Sequence, residues 1–79
     1  MSKNSIIVRA DWDPEANVWV ATSADIDGLA IEAETIEALY PKLQSALADL
    51  IELNGFPTDG GDVPVHVMAD RLMRVSTAA

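Results

Sequence analysis

The sequence predicts an α+β fold of order β-β-β-α-β, in which one helix covers one face of a small antiparallel sheet. Three patterns predict it: two strand-like stretches joined by a turn over residues 5–23, an amphipathic helix over residues 35–55, and alternating valines after residue 62. A single amphipathic helix cannot bury its apolar side alone, so the flanking segments must supply the sheet. The 79 residues form one small domain, residues 1–79.

The predicted helix begins at Thr35, whose hydroxyl can cap the first turn, and ends at Asn54-Gly55, because glycine tolerates the left-handed conformation. Pro41 lacks the N–H that would bond to the carbonyl of Glu37. It predicts either a kink or a helix whose regular part begins near Tyr40. Apolar residues recur at helical spacing on one side: Ile36, Leu39, Leu43, Leu47 and Leu50, widened by Tyr40, Ala46 and Ile51.

The first hairpin has two strands, residues 5–13 and 18–23, joined by a turn at residues 14–17. Two registers fit it, and a one-residue slip turns every side chain of the second strand over. If Asp13 pairs with Val18, Trp19 shares a face with Trp12. If Asp13 pairs with Asn17, Val18 and Val20 share that face with Trp12 instead. We favour the second register because it gathers β-branched residues under the helix. It leaves on the far face Ile7, Trp19 and Ala21.

The segment before the helix contains a loop over residues 24–29, with a turn at Asp27-Gly28. Residues 30–34 then predict a third strand, with Ile31 and Ala33 on one face; a helix that starts early is the alternative. After the helix, residues 63–75 predict the last strand, whose start Pro64 confines to an edge or a free end. A bulge would let this strand continue through Leu72, Met73 and Val75.

Composition excludes several classes of site. There is no cysteine, so disulfides and thiolate metal sites are excluded, and one histidine leaves little for zinc. The net charge of −8, from 13 acidic and 5 basic residues, disfavours nucleic-acid binding. It suits a basic protein partner, although plain solubility is the alternative and the more common reason for such a charge. No apolar run is long enough to span a membrane, and the first residues lack a signal region, so we expect a cytoplasmic protein.

The most suggestive chemical constellation is acidic: Asp11, Asp13, Glu32 and Glu34. On neighbouring strands such carboxylates could hold magnesium for phosphodiester chemistry. Their alternation is also that of a solvated strand face, which is the interpretation we favour. His66 has no cysteine or second histidine beside it, so we interpret it as a structural residue. The sequence therefore predicts no enzyme, with no catalytic, cofactor-binding or metal-binding residue.

A small domain with uncovered apolar residues tends to associate. We predict a homo-oligomer, a dimer or a tetramer. The candidate interface residues are Ile7, Trp19, Leu72, Met73 and Val75. Tryptophan is enriched at the centres of interfaces, although two ordinary core tryptophans are the alternative.

Three ordered pieces of the chain resemble the HicB family of antitoxin-like proteins, in particular its short single-domain branch. Residues 12–21 are similar to the family's first hairpin, with its acidic turn and aromatic-aliphatic strand. Residues 23–29, Ser-Ala-Asp-Ile-Asp-Gly-Leu, resemble its Pro-Asp-Leu-Pro-Gly-Cys loop. Residues 34–38 resemble its Asp-Thr-x-Glu-Glu-Ala helix start.

The HicB resemblance implies a partial ribonuclease-H-like sheet with a covering helix. It also implies antitoxin-type neutralisation of a small basic toxin that cleaves messenger RNA, by protein–protein binding. The last segment here is strand-like, so we expect no C-terminal DNA-binding domain and no direct nucleic-acid binding. A stand-alone homo-oligomeric domain with a regulatory or structural role is the alternative, and a metal-dependent nuclease is a third hypothesis.

Overall fold

A computed structural model describes residues 5–58 and 60–78. The elements are β1 (Ile6–Asp13), β2 (Val18–Thr22), β3 (Ala30–Ala33), α1 (Ile36–Asn54) and β4 (Val65–Asp70). They form a four-stranded sheet of order β3-β2-β1-β4 with α1 on one face, which confirms the predicted α+β fold and its β-β-β-α-β order.

The sheet is mixed, and the expectation of a wholly antiparallel sheet is wrong for one pair of strands. The pairs β1–β2 and β2–β3 are antiparallel, whereas β4 lies parallel to β1. The cause is the helical crossover. β3 runs in the same direction as β1. The connection through α1 returns the chain to the edge of the sheet at which β1 and β3 begin, so β4 runs parallel to β1.

The hairpin adopts the register that we did not favour. Asp13 pairs with Val18 and Trp12 with Trp19, so Trp19 lies on the helix side and not beside Ile7. The turn explains the register. Asn17 adopts a φ of 58°, and its N–H donates to the carbonyl of Asp13 at 2.8 Å, so Asn17 is taken up by the loop.

Helix α1 matches the predicted segment closely. Thr35 caps it by accepting a hydrogen bond from the N–H of Ala38 at 3.0 Å, and Gly55 ends it at a φ of 65°. The helix runs without interruption through Pro41, so the alternative of a start near Tyr40 is wrong. Within residues 5–58 and 60–78, no helix combines the length and apolar character needed to cross a bilayer.

One hydrophobic core lies between α1 and the sheet. Its central members come from three places: β1 and β2, the segment from residue 26 to β3, and the buried side of α1. They are Ile6, Val8, Ala10, Ala21, Ile26, Leu29, Ala33, Leu39, Leu43 and Leu47. The small alanines of the strands let the leucines of α1 approach the sheet closely, which interior packing density favours.

The last strand is shorter than predicted. β4 ends at Asp70, and residues 71–78 form no regular structure. The expected continuation through a bulge is therefore wrong. The alternation of half-buried and exposed residues that marks β4 stops after Val67, because the sheet offers the following side chains no helix to pack against.

Candidate protein-interaction surfaces

No described residue covers the sheet face opposite α1, and we call this face the open face. Strand pairing places on it every second residue of each strand. Its members are Ile7, Arg9, Asp11, Asp13, Val18, Val20, Thr22, Ala30, Glu32, His66, Met68 and Asp70. Ile7 and Met68 are 45% and 52% exposed, so the open face presents apolar side chains to solvent.

Three carboxylates lie in one row across the open face, and we call them the acidic row: Glu32, Asp11 and Asp70. Glu32 pairs with Val20, Val20 with Asp11, and Asp11 with Asp70. Like charges on directly opposite residues destabilise a sheet. Arg9 forms an ion pair with this row, since its guanidinium lies 4.0 Å from the Asp70 carboxylate. Both side chains are largely exposed, so this pair offsets little of the repulsion.

The loop after β2 supports the edge of the open face. β2 ends at Thr22, but the Ser23 hydroxyl donates to the Ile7 carbonyl at 2.7 Å and the Asp25 carboxylate accepts from the Ile7 N–H at 2.8 Å. Two side chains thus replace the missing β2 backbone opposite Ile7. The sequence shows a loop here, and the only signal of this role was the presence of Ser and Asp two residues apart.

A groove of about 780 Å³ separates α1 from the start of β4, and we call it the α1/β4 groove. It arises because the helix lies nearer to β3 than to β4. Its floor is apolar, and its rim carries the carboxylates of Glu52 and Asp62. The floor residues are Leu43, Leu47, Ile51, Val65 and Val67, and Ala48 lies beside them.

Residues 71–78 form an exposed segment that we call the arm. Leu72, Met73 and Val75 are 78%, 78% and 74% exposed. At the root of the arm, the Arg71 guanidinium lies 4.1 Å from the centre of the Trp12 ring. This cation–π contact attaches the root of the arm to the body. The Trp12 ring itself packs edge-on against Trp19, with 5.6 Å between ring centroids.

The predicted interface residues fall on three separate surfaces. Ile7 is exposed on the open face, and Leu72, Met73 and Val75 are exposed on the arm. Trp19 lies on the helix side, half-buried against Trp12, so its predicted place beside Ile7 is wrong. Sequence reasoning missed Asp70 as part of the acidic row, because the parallel register of β4 was not foreseen.

The acidic constellation considered for magnesium is not assembled. Asp11 and Glu32 lie on strands separated by β2, which places them about 10 Å apart. Glu34 lies beyond the end of β3. Among the described residues, no three histidine or carboxylate side chains come together as a metal-binding group. The carboxylate of Asp13 is turned to the hairpin loop, where it accepts from the N–H of Glu15 at 3.0 Å.

A domain family of unknown function, DUF1902, matches residues 5–78 of the chain. The chain belongs to the DUF1902 family. Its fold is also similar to the crystal structure of a hypothetical protein from the extremely thermophilic bacterium Thermus thermophilus. The two chains are 38% identical and superpose with a TM-score of 0.69, over 92% of this DUF1902 chain and 99% of the Thermus chain. No curated protein matches the chain.

Proposed function

We propose that this DUF1902 chain is a non-enzymatic interaction domain that binds a small basic protein in the manner of an antitoxin. The observation that carries the proposal is the acidic row on a solvent-exposed sheet face. The HicB resemblance of residues 12–29 and 34–38 supplies the kind of partner, a small basic toxin that cleaves messenger RNA.

Charge distribution supports a basic partner. Residues 1–70 contain all 13 acidic residues and three basic residues, Lys3, Arg9 and Lys42. They therefore carry a formal charge of −10. A field of this sign accelerates encounter with a positively charged protein and opposes approach of nucleic acid. Simple solubility would be served by charge anywhere on the surface. Carboxylates aligned on adjacent strands cost stability, and a bound cationic group would relieve that cost.

The open face also has the apolar component that a stable interface needs. Met68 pairs with Arg9, one step from the acidic row, and Ile7 lies a further step along β1. A basic protein that placed an apolar side chain between Ile7 and Met68 would bring its lysines or arginines to the acidic row. Interfaces that combine an apolar centre with a polar rim follow this arrangement.

Co-expression tests the proposal most simply. The chain is tagged and produced together with the reading frame beside its gene, and co-purifying protein is washed at increasing salt. We expect a small basic protein to be retained through moderate salt, and its effect on growth to be relieved by this chain. A variant with Asp11→Asn and Asp70→Asn should lose both effects.

The matched control carries Glu37→Gln and Asp49→Asn on the exposed side of α1, which changes the net charge by the same amount. If this control loses the partner as completely as the acidic-row variant, the open face is not the binding surface. If the chain purifies alone and no basic neighbour affects growth, the toxin-binding proposal is wrong, and a stand-alone homo-oligomeric domain replaces it.

A further inference from the structure

The arm combines exposed apolar side chains with a positive charge. Three of its eight residues are large apolar side chains at least 74% exposed. Arg71 and Arg74 make it basic, and it contains no carboxylate side chain. The arm is therefore an apolar, cationic segment attached to a body with a formal charge of −10. Such a segment is costly to leave in water and is attracted to acidic surfaces.

The α1/β4 groove is complementary to the arm in both respects. Its floor consists of leucine, isoleucine and valine side chains, and Glu52 and Asp62 stand at its rim. In an extended conformation, side chains two residues apart point to the same side, so Met73 and Val75 can enter the floor together. Arg74, between them, points to the opposite side, out of the floor, where its long side chain can bend to the rim carboxylates.

The geometry directs the arm away from the groove of its own chain. The groove lies at the start of β4, beside Val65 and Val67, whereas the arm leaves from the end of β4 after Asp70. Arg71 holds the root of the arm on Trp12, at the far end of β1. The molecule is correspondingly elongated, with extents of 56 × 28 × 19 Å. To fill its own groove, the arm would have to reverse at Arg71 and break this contact.

We infer that the arm docks into the α1/β4 groove of a second copy of this chain, with Met73 and Val75 on the apolar floor and Arg74 at Glu52 and Asp62. A two-fold dimer lets both copies exchange arms, since each copy carries one arm and one groove. The basic partner protein is not required for this exchange, because that protein is assigned to the open face, on the opposite side of the sheet.

Sedimentation equilibrium of the full chain tests the arm, with Met73→Glu as the variant and Met68→Glu as its control. Both changes replace an exposed methionine by glutamate, but Met68 lies on the open face. We expect a wild-type dimer at micromolar concentration, and a dissociation constant raised by about tenfold or more for Met73→Glu only, as loss of one buried methionine implies. A monomeric wild type, or equal effects of the two changes, overturns the inference.

A second pair of variants tests the groove. Ala48→Trp fills it from α1, whereas Ser45→Trp places the same side chain on the exposed side of the helix. We expect only Ala48→Trp to give monomers. An equimolar mixture of Ala48→Trp, which keeps its arm, and Met73→Glu, which keeps its groove, should form a heterodimer through one exchanged arm. Circular dichroism shows that each variant is folded. Two folded monomers that fail to associate on mixing contradict the exchange.

Discussion

The carboxylate of Asp25 accepts a hydrogen bond from the Ile7 N–H at 2.8 Å, beyond the last β1–β2 pair, Arg9 with Thr22. Together with the Ser23 hydroxyl on the Ile7 carbonyl, it completes the hydrogen bonding of a β1 residue whose neighbouring strand has already ended. The Ser-Ala-Asp segment at residues 23–25 is therefore a structural support for the start of β1.

Replacing Asp25 tests this support. Asp25→Ala leaves the Ile7 N–H without its partner, and we expect the free energy of unfolding to fall by about 1 kcal/mol. Asp27→Ala is the matched control, because Asp27 contributes its backbone carbonyl, which alanine keeps, to a hydrogen bond with the side chain of Asn54. Urea denaturation of both variants measures the difference. Equal losses would mean that the Asp25 contact does not stabilise the strand.

The turn that sets the hairpin register gives a second prediction. Asn17 has a φ of 58°, which glycine adopts without strain and alanine does not. We expect Asn17→Gly to be nearly neutral and Asn17→Ala to cost about 1 kcal/mol of folding stability. Thermal unfolding compares them. If alanine is tolerated as well as glycine, the left-handed conformation does not control the register.

Gly28 gives a third prediction, because it combines a φ of +94° with a close neighbour. A Cβ at Gly28 would lie 3.2 Å from the Leu50 Cδ2 atom, whereas Gly61, at a φ of +90°, has open space around it. Gly28→Ala and Gly61→Ala therefore share the backbone strain and differ in packing. We expect Gly28→Ala to be less stable than Gly61→Ala by about 1 kcal/mol in urea denaturation. Leu50→Val in the Gly28→Ala background should recover part of that difference, and identical stabilities would argue against close packing of this loop on α1.

The expectation that the chain is not a nuclease is also testable. Because β2 separates Asp11 from Glu32, we expect millimolar magnesium not to induce cleavage of a labelled RNA. The measurement uses the wild-type chain and the Asp11→Asn, Asp13→Asn double variant. Magnesium-dependent cleavage by the wild type that is lost in the double variant would establish the nuclease hypothesis instead.

Local patterns predicted α1 well, because its cap, its stop and its leucine spacing all lie within one segment. The order of the strands and the helix was also predicted, because each element has its own local pattern. The hairpin register was mispredicted because β-branched composition was weighed above the turn, in which Asn17 takes a left-handed conformation. The parallel placement of β4 depends on how α1 crosses the sheet, which no local pattern reveals.

The candidate surfaces depend on those long-range relationships. Asp11 was recognised as part of an acidic set, but its neighbour in the acidic row is Asp70, which only the parallel register brings beside it. The sequence predicted Leu72, Met73 and Val75 as interface residues on the last strand. The structure shows them exposed, but beyond the end of that strand. The α1/β4 groove results from the position of the helix over the sheet and had no signal in the sequence.

The most direct test of binding through the open face is a titration of the purified chain with its co-purified basic partner at several salt concentrations. We compare the acidic-row variant, Asp11→Asn with Asp70→Asn, with the variant of equal net charge, Glu37→Gln with Asp49→Asn. We predict that only the acidic-row variant loses affinity, by about tenfold or more, and that the salt dependence of binding weakens with it. Equal loss of affinity in the two variants, or no loss in either, would contradict binding through the open face.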